Sequence, residues 1–246
     1  MNSIENDPLF RKSMVFCAWT GFACIFFFII GGVILGGMLP PLFNSAEPAA
    51  VFAEKVSNNA FQLRLGSAFM VLAFAMFGTL GAGIAAQTRR VEANPMFSII
   101  QAVFAAAAMT IGVLVAFVWG LAAFRPELYE ASIIVAWIDF AYFMALFSVP
   151  LFGGWCVMIA LPILWAEEGS EPFPRWVAYV NLWAALLYAP GMLIIFFKDG
   201  PFSWHGIVAL WIPYLAYFAW IAVMSLALLS AVKQTGDESI PHAARA

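Results

Sequence analysis

The chain has 246 residues, 64% of them hydrophobic and 10% charged, with a formal net charge of −3. A water-facing surface needs roughly a quarter of charged residues, so most of this chain's outside faces lipid and a soluble domain is excluded. The small net charge, without clustered Lys or Arg, excludes a nucleic-acid partner.

A bilayer-spanning helix needs about 20 mostly apolar residues. Six stretches qualify and predict an all-α polytopic membrane protein, a bundle of six transmembrane helices in one domain. The first runs over 13–39, follows Arg11-Lys12 and stops at Pro40-Pro41. Its apolar run is too long for a signal-peptide core, so it is expected to stay in the mature protein. The others cover 65–86, 96–124, 132–165, 176–197 and 206–232. Residues 234–246 read as a polar, disordered tail. With the N terminus inside, the short cytoplasmic connections carry Arg11, Lys12, Arg89, Arg90, Arg175, Lys233 and Arg245. The other side carries Lys55, Arg64, Arg125 and Lys198. Seven positive charges against four place both termini in the cytoplasm.

The first outer connection, 44–64, predicts a short interfacial helix capped by Asn44 or Ser45, with Phe52, Val56 and Leu63 on its apolar side. The fourth span is longer than a bilayer requires and contains Pro150, followed by Gly153-Gly154. Pro190-Gly191 and Pro213 mark the fifth and sixth spans. These prolines and glycines read either as ordinary membrane-helix irregularity or as hinges around a cavity lined by spans four to six. Gly32-x-x-x-Gly36 and Ala82-x-x-x-Ala86 allow close helix approach, within the bundle or in a homo-oligomer.

Asp139 is the one acid inside a span, flanked by Trp137 and Tyr142. Intramembrane acids are costly and face the bundle or a wet cavity. Asp139 therefore either pairs with Arg64 or Arg125 or takes part in binding or coupling. Asn181 and Gln101 are candidate interhelical hydrogen-bond partners. His205 and His242 are the only histidines, one in a loop and one in the tail, which disfavours a bis-histidine haem. Cys17, Cys24 and Cys156 lie in apolar runs as small hydrophobes. Donor clusters for zinc or di-iron are missing, as are the nucleophile elbow and the phosphate-binding glycine loop. No cofactor or metal is expected, no catalytic residue is assigned, and the reading leans away from an enzyme. Polar residues gather only at the outer face: Arg64, Arg125, Asp139, Lys198, Asp199 and His205. Deeper aromatics such as Trp119, Trp183, Tyr217 and Trp220 face lipid or core, or line an apolar pocket, whereas Trp165, Trp176, Trp204 and Tyr129 suit an interfacial belt.

The segment from Phe196 to Gly206, followed by Trp211-Ile212-Pro213, resembles one in uncharacterised bacterial six-span inner-membrane proteins, with the pattern F-F-K-x-G-P-F-x-W-x-G. The resemblance covers the C-terminal third. It implies a bacterial inner-membrane location and six spans, and carries no activity. The leading expectation is a transporter, channel-like or binding protein for a small apolar or amphipathic compound. Its candidate binding or coupling residues are Asp139, Trp137, Tyr142, Arg64, Lys198 and His205, and its candidate hinges Pro150, Gly153, Gly154, Pro190 and Pro213. The alternative is a non-catalytic accessory or scaffold subunit of a larger membrane complex.

Overall fold

A computed structural model describes residues 7–238, with side chains through Lys233; His242 and the end of the tail lie outside the described residues. Among these residues every regular element is helical. Helix α1 covers Pro8–Leu35, its final turns being π-helical over Ile29–Leu35. A short helix, α2, covers Ala49–Asn58, and two long helices follow, α3 over Ala60–Arg89 and α4 over Met96–Ala122. Helix α5, Ala131–Trp165, is interrupted by a π segment at Phe143–Phe147 and resumes as α-helix at Val149. In α6, Arg175–Ile195, the last turns from Ala189 are 3-10. The final helix, α7, begins as a π turn over Ile207–Trp211 and runs into an α-helix over Ile212–Glu238. The beginning of the expected polar tail is thus helical.

Six of these helices are long and apolar enough to cross a membrane, with mean hydropathy between 1.6 and 2.3. The protein is a multi-pass membrane protein whose exposed Phe, Leu, Ile and Trp side chains meet lipid acyl chains. The spans close into a ring in which α1 touches α3 and α7, and each later span touches the next. Helix α2 lies within the predicted stretch, but it is entered from Pro48 with no side-chain cap from Asn44 or Ser45, and Leu63 belongs to α3. The Phe52 and Val56 side chains of α2 are fully buried against the end of the bundle, and Phe43 stacks on Phe52 at 5.2 Å.

Close approach of α1 and α3 is a matter of glycine. A Cβ on Gly66 would stand 2.6 Å from the Gly31 carbonyl oxygen and 2.7 Å from the Gly36 amide nitrogen. Gly32, of the predicted Gly32/Gly36 pair, instead faces the Phe28 ring of its own helix. Backbone-to-backbone packing of this kind gains dispersion that lipid cannot offer.

The three candidate hinge prolines sit at changes of helix type. Pro150 occupies the first turn of the resumed α5, where its missing N–H leaves no bond broken. Pro190 opens the 3-10 segment of α6, and Pro213 follows the π turn of α7. Gly153 and Gly154 lie beyond the break, in regular α-helix facing Ala185 and Phe104. The π segment of α5 touches the 3-10 segment of α6, which touches the π turn of α7. The irregular backbone is thereby concentrated at one level.

Gly66→Ala is expected to overpack the α1/α3 crossing and cost about 1–3 kcal/mol. Gly153→Ala, whose Cβ would meet nothing closer than 3.7 Å, should be neutral or slightly stabilising. Unfolding midpoints of the purified protein in detergent measure both.

Candidate functional site

At the end of the bundle opposite the termini, α1 unwinds and leaves carbonyls that need donors, because the last turn of a helix has no partners of its own. Side chains of other spans supply them. The Trp119 indole donates to Gly36 O at 2.8 Å and the Tyr142 hydroxyl to Met38 O at 3.1 Å. Trp119 and Tyr142 also meet edge to face at 5.5 Å, and Phe43 stands edge-on to Trp119.

The connection between α6 and α7 adds the next member. Gly200 takes φ +78°, which a side chain would resist. The Ser203 hydroxyl and amide both donate to its carbonyl, at 2.9 and 3.2 Å. Gly206 N–H then donates to Ser203 O, and Val208 N–H to Pro201 O. This tight coil turns Trp204 inward, where it is 3% exposed rather than part of an interfacial belt. Its indole lies flat on Tyr142, centroids 4.1 Å apart and planes 11° from parallel, and its N–H donates to Asp139 Oδ1 at 3.0 Å. Asp139 and Tyr142 are three residues apart and so share one helix face; a single indole engages both.

The other candidate binding residues divide between this place and elsewhere. Lys198 is exposed on the same connection. Trp137 is half-buried and, two residues from Asp139, off the shared face. Arg64 is exposed and its guanidinium bonds Ala60 O within α3, while Arg125 lies over the Phe124 ring at 5.0 Å. The partner of Asp139 is therefore the indole N–H.

His205 ties the α6–α7 connection to the segment before α2. Ser45 N–H approaches its Nδ1 at 3.4 Å, and the hydroxyls of Ser45 and Ser203 each lie 3.0 Å from Nδ1. Asp199 Oδ1 is 3.7 Å from Nε2. Serine, histidine and aspartate thus come together here, but not as a nucleophile and its base. Ser45 donates its proton to Lys198 O and Ser203 to Gly200 O, whereas an activated serine must donate to the imidazole. Amides that might hold an oxyanion are taken: Asn44 N–H by Glu47, Ala46 N–H by Asn44. Lys55 fastens the same segment, reaching Glu47 at 2.6 Å and Leu42 O at 2.9 Å. Among the described residues no group of three or more His, Cys, Asp or Glu is placed to hold a metal ion.

The second feature, which none of the candidate binding residues named from sequence lines, is a cavity of about 50 Å³ at the level of the irregular segments. All six spans contribute to its wall, among them Phe28, Phe74, Val115, Leu146, Tyr188 and Tyr217. Met38 joins it to the aromatic closure, since the Tyr214 hydroxyl, also on the cavity wall, contacts Met38 Sδ at 3.5 Å. Most deep polar side chains elsewhere are paired locally, the buried Trp155 indole N–H being an exception. Asn181 accepts from the Trp220 indole at 2.8 Å, not from Gln101, which accepts from Thr88 and donates to Met158 O. The hydroxyls of Tyr188 and Tyr217, in contrast, are buried without a partner. An unmet buried hydroxyl costs on the order of 1–3 kcal/mol. The sequence signals for the cavity were the prolines in spans four to six and Tyr217 among the deeper aromatics; nothing marked Tyr188.

Two outcomes test the closure. Trp204→Phe keeps a ring on Tyr142 but leaves the Asp139 carboxylate without its donor, and should lower stability by about 1–3 kcal/mol. Asp139→Asn, which still offers an oxygen acceptor, should lose less. For His205, burial lowers the imidazole pKa below its ordinary value, opposed by the nearby Asp199 and Glu47 carboxylates. The unfolded chain then takes up the proton first as pH falls. The neutral ring's contribution is complete above pH about 6.5, declines toward the lowered folded value, and levels below it. Melting temperature across this window should fall in the native protein and fall less in His205→Asn.

No protein-family model, curated protein or solved structure matches this chain.

Proposed function

We propose that this integral membrane protein binds a small apolar or amphipathic compound inside the bundle, in the manner of a transporter, channel-like or binding protein. The observation that supports the reading is the cavity at the junction of the three irregular segments, walled by all six spans. Ligand sites within membrane bundles favour interrupted helices, and the three segments here depart from α geometry as π and 3-10 turns. In this reading Trp204, held by Asp139 and Tyr142, closes the outward end, and its departure opens the path. Lys198 and His205 lie on the connection that carries it, and Pro150, Pro190 and Pro213 mark where the spans flex. The distribution of Lys and Arg supports a cytoplasmic location for both termini, and the Phe196–Gly206 pattern supports a bacterial inner membrane.

The local pairing of Asn181, Gln101, Ser67 and Gln87 leaves no continuous polar file across the bundle, and supports the second reading, an accessory or scaffold subunit. Native mass spectrometry after gentle extraction separates the two. The first predicts a bound small molecule that is lost when Ala145→Leu narrows the cavity wall, with the melting temperature retained. Stoichiometric foreign subunits, together with an identical small-molecule profile in Ala145→Leu, would reject it in favour of the second.

A further inference from the structure

The end of the bundle that carries both termini holds a second opening. Where the first turns of α1 pass the end of α7, a groove of about 390 Å³ is lined by Pro8, Arg11, Lys12, Val15 and Val232. The four α1 residues are spaced i, i+3, i+4 and i+7, and so share one helix face. Trp19 and Phe22 continue that stripe deeper into the membrane, Trp19 exposed and Phe22 half-buried, with their rings 5.4 Å apart. Arg11 and Lys12 are exposed, and no acid lines the groove. Asp7, the nearest described acid along the chain, caps α1 by accepting from Leu9 N–H. Among the described residues neither cation has an acidic partner.

We infer that this groove seats one phospholipid of net negative charge. Its phosphate meets Arg11 and Lys12, and an acyl chain runs over Val15 and Val232 toward Trp19 and Phe22. The site is independent of the cavity between the spans. The order of chemistry along α1, cations and then apolar side chains, is the order of headgroup and chain in a lipid. A guanidinium offers two phosphate oxygens a planar fork, and an ammonium adds a point charge. Long basic side chains at the end of a span keep their charged tips at headgroup level, and basic pockets between spans suit anionic headgroups. A zwitterionic headgroup brings an ammonium of its own, for which the groove has no carboxylate. A phosphodiester of an uncharged alcohol, as in phosphatidylglycerol, is therefore the better fit. A free anion would meet the cations but leave the apolar half of the groove uncovered.

The test is native mass spectrometry of the full chain in micelles doped with equal amounts of dioleoyl phosphatidylglycerol and dioleoyl phosphatidylcholine. Phosphatidylglycerol should be retained in preference, and less of it as NaCl is raised. Arg11→Gln and Lys12→Gln should each weaken its retention about five-fold. Arg125→Gln, which removes an exposed cation at the opposite end, should leave it unchanged. Equal retention of the two lipids by the native protein overturns the inference, and that comparison needs no variant to fold. An equal loss in Arg125→Gln also overturns it, because the attraction then belongs to the charge of the whole protein. Displacement of phosphatidylglycerol by millimolar inorganic phosphate at constant ionic strength would reveal a small-anion site and reject the lipid.

Discussion

A backbone N–H or C=O in hydrocarbon has no water to turn to, and each one left unmet costs several kcal/mol. That constraint governs the whole molecule. Where α1, α5, α6 and α7 remain α-helical, they satisfy themselves and can face lipid on one side. Where they depart from α geometry, partners must come from within the protein. The end of α1 shows how: Trp119 and Tyr142 reach across from α4 and α5 to carbonyls that the helix has released. The irregular segments of α5, α6 and α7 meet the same constraint along their own backbone, as π or 3-10 turns, and pack against one another.

Two consequences of this arrangement lie side by side. One is a rigid closure at the end opposite the termini, built as a chain of rings from Phe52 through Phe43, Trp119 and Tyr142 to Trp204. Aromatic pairs contribute about 0.5–1.5 kcal/mol beyond the area they bury. The Asp139 carboxylate adds a charge-assisted bond at the last ring. The other is the cavity beneath, where bent spans cannot fill the interior. Met38 belongs to both, with its carbonyl bonded to Tyr142 and its sulfur in contact with Tyr214. A change in the closure therefore bears directly on the cavity wall.

Asp139 illustrates how far the sequence carries a site. Its cost in a membrane singled out Asp139 from residue type alone, as a group that needs a partner or a wet cavity. That partner was illegible, because nothing in a turn-rich stretch tells whether Trp204 points to headgroups or inward. Arg64 and Arg125 were reasonable partners by charge and depth, yet their guanidinium groups are engaged on their own elements. Pro150, Pro190 and Pro213 read from sequence as either ordinary irregularities or hinges. The structure shows the departure from α geometry in α5 starting ahead of Pro150, at Phe143, in a stretch with no proline or glycine. That π segment lies against the 3-10 segment of α6.

The sequence by itself determined the class of the protein. Six apolar runs with one acid among them permit only a helical membrane bundle, since no other arrangement of this composition satisfies its backbone in lipid. Helix number and the buried side of α2 follow from the run lengths and periodicity of neighbouring residues. Only the tertiary structure decided which indole meets Asp139, that Gly66 lets α3 cross α1, and that Tyr188 and Tyr217 share a cavity wall. Each of these joins residues far apart in the chain through contacts a few ångströms long. No local spacing rule reaches that far.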